Sequence, residues 1–162
     1  RSANGILHNS EPMRHTARII ERFKQIKIGE SEADVRGEFV PAMRNSINGA
    51  KSVKTYAQNS RRQHPDRPCN TVVASSHSNF IHPFLDRNFT VRELLRIQSF
   101  PDNFRLMGKR AVLSKKLSIK KGLLDDIYLD QRMQVGNAVP PLLAKSTADN
   151  LIDILQPPKW NN

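Results

Sequence analysis

Residues 90–104 read Thr90-Val91-Arg92-Glu93-Leu94-Leu95-Arg96-Ile97-Gln98-Ser99-Phe100-Pro101-Asp102-Asn103-Phe104. Thr90 stands three residues before Glu93, just ahead of the apolar Leu94, Leu95 and Ile97. That spacing is a capping box. The threonine hydroxyl accepts from an early backbone N–H, and the glutamate carboxylate reaches back to the N–H of the cap residue. The helix so started stops near Ser99-Phe100, because Pro101 disfavours helical geometry in the residue before it.

Outward from this element the signals weaken. Downstream, residues 105–133 carry Lys109, Arg110, Lys115, Lys116, Lys120 and Lys121 and read as a basic loop. Residues 140–155 read as a last helix, with Pro140 or Pro141 near its first position and Leu143, Thr147, Leu151 and Ile154 at helical spacing. Upstream, Thr71-Val72-Val73-Ala74 reads as a short strand, and Phe80-Ile81 resumes one after the polar run 75–79. Residues 30–67 are polar, weakly periodic, and read as loops and short strands. Residues 11–27 read as an amphipathic helix with Ser10 as N-cap, Met13, Ala17, Ile20 and Phe23 on one face, and Gly29 ending it. Its Arg14, Arg18, Arg22 and Lys24 are either a solvated face or contacts to a nucleic-acid backbone.

Lys and Arg number 26 against 15 Asp and Glu, a formal charge of +11 on 162 residues. Such a field attracts polyanions, nucleic acid first and an anionic membrane second. No apolar run approaches the roughly 18 residues of a spanning helix. The single cysteine, Cys69, excludes an internal disulfide and suits a reducing, cytoplasmic location. No ligand set with zinc spacing surrounds His77, so no metal is expected. The start Arg1-Ser2-Ala3-Asn4-Gly5 is not a signal peptide and suggests a piece of a longer chain.

Two segments carry a family resemblance. Residues 90–104 resemble motif IX of the DNA (cytosine-5) methyltransferases, R-E-x-x-R-x-Q-x-F-P-D-x-F. Gln134-Val135-Gly136-Asn137-Ala138-Val139-Pro140 resembles motif X, Q-x-G-N-[AS]-V-P. Arg67-Pro68-Cys69-Asn70-Thr71-Val72-Val73 is similar to the P-x-x-T-[ILV] element of the family's target-recognition region. The resemblance covers residues 55–155 well and the first fifty loosely. The family's glycine-rich cofactor loop, Pro-Cys-Gln loop, Glu-Asn-Val segment and Q-x-R-x-R element are not found. Cys69 stands in a Pro-Cys pair, but Asn70 follows it and it lies in the recognition region. By family order it is not the nucleophile that attacks a flipped cytosine, and no catalytic residue is expected in this chain.

The resemblance implies an α+β chain: a small, irregular β/loop target-recognition domain with flanking helices. Its C-terminal helix would pack on a Rossmann-like catalytic domain carried elsewhere. It divides the chain into an N-terminal helix and linker (1–54), the recognition region (55–89), the motif IX helix (90–104), a basic loop (105–133) and motif X with the last helix (134–162). Motif X implies a tight turn in which Gly136 permits close backbone approach and Asn137, Ala138 and Val139 face S-adenosylmethionine. In the recognition region it implies DNA contacts from Gln58, Arg61 and Thr71, with Ser75 and Ser78 on a loop entering the major groove. Arg92 and Arg96 are divided between internal ion pairing and phosphate contact, and Phe100 and Phe104 are core candidates. The partners implied are double-stranded DNA and the catalytic half of the enzyme. The alternative is a non-enzymatic basic nucleic-acid-binding module, of which an RNA-binding version is disfavoured by the lack of clustered aromatics for base stacking.

Overall fold

A computed structural model of the chain describes residues 7–41, 43–44, 51–52, 57, 59–74, 80–110 and 129–155. Among them are four α-helices: α1 (Ala17–Gln25), α2 (Val91–Ile97), α3 (Gln131–Asn137) and α4 (Pro141–Leu155). One antiparallel ribbon pairs β1 (Met43–Arg44) with β2 (Lys51–Ser52), and single bridges join Ile81 to Arg62 and to Asn88. This is less β structure than the α+β expectation anticipates. Residues 71–74 are not a strand; their backbone serves a different contact, described below.

The core is built around α2. Thr90 Oγ1 accepts from the Glu93 amide at 3.1 Å, and Glu93 Oε2 accepts from the Thr90 amide at 2.7 Å, closing the capping box. The buried Val91, Leu94 and Leu95 pack with Phe80, Phe89 and Val135, and Cys69, Val72, Phe100 and Leu106 lean on the same cluster. Each large apolar side chain so covered contributes about 1.5–3 kcal/mol. Phe104 remains 41% exposed, its ring against Phe100 at 4.8 Å, so it is not the core residue expected. A second cluster joins Phe23 and Ile26 to Val35 and Ile81.

The helix expected over 11–27 is shorter. It starts after Thr16 and ends at Gln25, before Gly29, which lies in a following turn at φ 82°. Just upstream, residues 8–9 are held by distant partners. Asn9, itself at φ 61°, accepts from the Leu106 amide and donates back to the Leu106 carbonyl, both at 3.0 Å, like a strand partner. Its carbonyl accepts from the Arg92 amide at 2.8 Å. On α1, Arg22 donates to the Phe39 carbonyl at 2.7 Å, while Arg18 donates to the Glu38 carbonyl and lies over the Phe39 ring. These two arginines hold the 37–39 turn.

Arg62 closes the other end of α1. Its guanidinium donates to the carbonyls of Phe23 (2.7 Å), Ile26 (2.6 Å) and His82 (2.9 Å) and pairs with Asp86 at 2.7 Å. A cation at the exposed carbonyls of a helix end satisfies groups the helix itself cannot.

The 131–137 segment is helical where a basic loop leading into a turn is expected. Asp130 caps α3, accepting from the Met133 amide at 2.8 Å, so Gln134 to Asn137 form the last turn of a helix. Helix α4 follows after Ala138, Val139 and Pro140, close to its expected bounds. None of its residues is buried. No helix among the described residues is long and apolar enough to cross a membrane.

Candidate functional site

The chain segment that carries Thr71 and the one that carries Asn137, Ala138 and Val139 touch at Gly136. A Cβ built there would lie 2.4 Å from both the carbonyl carbon and the oxygen of Val73 and 2.5 Å from the Ala74 nitrogen. Nothing larger than hydrogen fits, because the obstacle is backbone. The last turn of α3 therefore rests directly on the 73–74 chain, which holds 71–74 beside the 137–139 edge. This is the close approach that motif X implies, and it shows what the backbone of 71–74 does in place of forming a strand.

Asn137 is exposed, and its side chain makes no hydrogen bond among the described residues. Ala138 is half-buried and Val139 is 64% exposed. The edge they form is open. It continues into α4, where Leu142, Leu143, Leu151, Ile152, Ile154 and Leu155 are all exposed.

Thr71 is exposed and lies two residues from the Gly136 contact. Arg61 donates to the Ala57 carbonyl at 3.2 Å, while its own carbonyl accepts from the Ile81 amide at 2.9 Å, fixing its backbone. Gln58, Ser75 and Ser78 lie outside the described residues. A cavity of about 400 Å³ opens between residues 63–69 and α2, lined in part by Gln63, His64, Arg67, Cys69 and Arg96. Arg67 on its rim is exposed and makes no ion pair among the described residues.

Cys69 is chemically quiet. Its thiol donates to Gln63 Oε1 at 3.3 Å, and burial pushes its pKa up to about 11. A nucleophilic thiol needs the opposite environment. Among the described residues no group of three or more His, Cys, Asp or Glu side chains is placed to hold a metal ion.

The motif IX arginines have separate fates. Arg92, 1% exposed, donates to the carbonyls of His8 (2.9 Å), Pro101 (3.2 Å) and Phe104 (2.5 Å), so it is not available to a phosphate. Arg96 makes a two-point pair with Asp102, both bonds 2.8 Å, at the surface. Arg87 makes the same pair with Glu93, again at 2.8 Å. Burial pushes the Glu93 carboxyl upward, but hydrogen bonds from Arg87 and the Thr90 amide outweigh it and hold its pKa at about 2.

A model of the C-5 cytosine-specific DNA methylases matches residues 2–153. The chain belongs to that family. It is 44% identical over 151 residues to the type II methyltransferase M.DdeI of Desulfomicrobium norvegicum, covering 93% of this chain and 34% of that protein. To the type II methyltransferase M.AquIB of Picosynechococcus it is 33% identical over 153 residues, covering 92% of this chain and 93% of that protein. The DNA (cytosine-5-)-methyltransferase M.ApeKI of Aeropyrum pernix is 32% identical, with 90% of this chain and 26% of that protein covered. This methylase chain thus spans about a third of M.DdeI and nearly all of M.AquIB. A solved structure described as a DNA modification methyltransferase encoded within an E. coli prophage superposes with a TM-score of 0.56. It is 23% identical, covers 94% of this chain and 30% of that one, and shows a shared fold.

What the sequence of this methylase hides is the inward arginine set. Arg62 and Arg92 look like any basic residue until the carbonyls they collect are seen. Arg67, exposed on the rim of the cavity, was not singled out from the sequence, although it stands just before Pro68 in the P-x-x-T element.

Proposed function

We propose that this chain is the target-recognition and C-terminal part of a cytosine-5 DNA methyltransferase of a restriction–modification system, acting in the cytoplasm on a specific duplex sequence. It works with a catalytic portion carried on the same polypeptide or on a separate subunit, and it transfers no methyl group alone. The carrying observation is α4: fifteen residues, none buried, with a row of exposed leucines and isoleucines. An isolated helix with such a surface is an interface in waiting. Membership of a family whose model covers residues 2–153 favours this over a non-enzymatic nucleic-acid-binding module.

On this reading Asn137, Ala138 and Val139 form one lip of the S-adenosylmethionine pocket. Their chemistry suits the part: an amide with unused hydrogen-bonding capacity beside an exposed apolar side chain. When bound, S-adenosylmethionine supplies the methyl group destined for carbon-5 of cytosine. Thr71 offers its hydroxyl, and Arg67 its charge, to backbone phosphates. Gln58 and Arg61 are the side chains suited to two-point contacts with adenine and guanine edges, with Ser75 and Ser78 on the same loop system. The charge of +11 draws the complex to DNA and makes binding fall with salt.

The test is transfer of labelled methyl groups to DNA by this chain, by the catalytic portion, and by both together. Turnover is expected only with both. Robust transfer by this chain alone overturns the proposal. A mixture that turns over but is indifferent to Asn137→Ala overturns the role given to residues 137–139, and a mixture that stays inactive returns the chain to the binding-module reading.

A further inference from the structure

Helix α2 ends in a turn whose chemistry is unusual for a serine. The Ser99 amide donates to the Arg96 carbonyl and the Phe100 amide to the Leu95 carbonyl, both at 2.9 Å. This paired pattern closes a helix through one residue in the left-handed region. Ser99 is that residue, at φ 61°. Glycine takes this conformation without cost, and a side chain does not. A serine here therefore has a reason to carry its hydroxyl.

That hydroxyl is spent on α4. Pro140 and Pro141 have no N–H, so Leu142 carries the first amide of the helix, and it donates to Ser99 Oγ at 3.1 Å. Serine is among the preferred capping side chains, but the cap normally comes from the residue preceding the helix. Here it comes from 43 residues away, out of the other motif. Because α4 buries no residue, little apolar packing competes with this tether to fix how the helix leaves the body. The 137–139 edge lies immediately before it.

We propose that Ser99 is a positioning residue: its hydroxyl caps α4 from outside the helix and so sets the placement of α4 and of the 137–139 edge. The consequence for the cofactor rests on the proposed role of that edge.

Two variants separate the hydroxyl from the backbone. Ser99→Gly relieves the left-handed strain and removes the cap. Ser99→Asn tolerates the same φ and keeps an acceptor oxygen. In the chain itself, amide exchange at Leu142 is expected to accelerate about 10-fold in Ser99→Gly and to stay near wild type in Ser99→Asn. In the enzyme assembled with its catalytic portion, Ser99→Gly is expected to raise KM for S-adenosylmethionine about 5-fold, the equilibrium equivalent of one lost cap. The value of kcat should hold, and Ser99→Asn should restore KM. Equal Leu142 exchange in wild type and Ser99→Gly overturns the cap. Faster exchange with unchanged KM overturns its positioning of the edge. A wild-type assembly that fails to bind S-adenosylmethionine overturns instead the role given to residues 137–139, and leaves the exchange result to decide the cap.

Discussion

Helices α2 and α4 are opposites. α2 has seven residues, four of them buried, with a reciprocal cap at one end and a left-handed turn at the other. α4 is twice as long, more apolar on its surface, and buries nothing. By pattern alone α4 is the better helix. Yet α2 organises the molecule, because residues outside its own segment supply its partners, most of them distant in sequence: His8, Asn9, Phe80 and Val135. What distinguishes a core helix is who meets it, and α4 has a surface that nothing among the described residues meets.

The comparison breaks most sharply at Arg92. Replacing it with Met leaves the carbonyls of His8 and Phe104 without a donor and Pro101 with only the Phe104 amide, a loss of about 3–5 kcal/mol on urea unfolding. A shift below about 1 kcal/mol means those carbonyls find water and that α2 is less central than its burial suggests. Gly136→Ala drives a Cβ into the Val73 backbone. Overpacking of that kind costs about 1–3 kcal/mol and should also weaken DNA binding by moving the 71–74 chain; unaltered melting and affinity argue against a fixed crossing.

Acid sharpens the contrast further. The pKa of Glu93 is held at about 2, below its ordinary 4.5, so its contribution is complete above pH 4.5 and is lost as pH falls toward 2. Wild type should lose stability more steeply over that window than Glu93→Gln, which is weaker throughout but flatter; identical acid profiles would show the carboxylate is idle. The smallest effect on stability belongs to α4. Ile154→Ser should change unfolding by no more than about 0.5 kcal/mol while weakening assembly with the catalytic portion. A large loss of stability would place α4 inside the fold, contrary to its exposure.

Local chemistry was readable. Thr90 and Glu93 are three residues apart and cap each other without help, so the sequence places the start of α2 at its residue and its end to within about two. Pro141 and the apolar spacing after it did the same for α4. Failures came where distant partners decide. Asn9 is held by Leu106, and nothing in residues 8–16 announces a partner 97 positions away. Thr71, Val72 and Val73 have strand-like side chains, but the 73–74 backbone lies under Gly136, whose need for close approach was legible while its neighbour was not. The motif order sets Cys69 apart from catalysis, and its burial, which raises the thiol pKa, is in keeping with that expectation.

That burial has a use at the bench. With its pKa near 11, Cys69 is ionised in on the order of one molecule in ten thousand at pH 7. A new cysteine on the open helix, for instance Ser146→Cys, would ionise hundreds of times more readily at an ordinary pKa of about 8.5. Maleimide dyes would therefore find α4 first with the native cysteine left in place, and the label would report directly on whatever docks there.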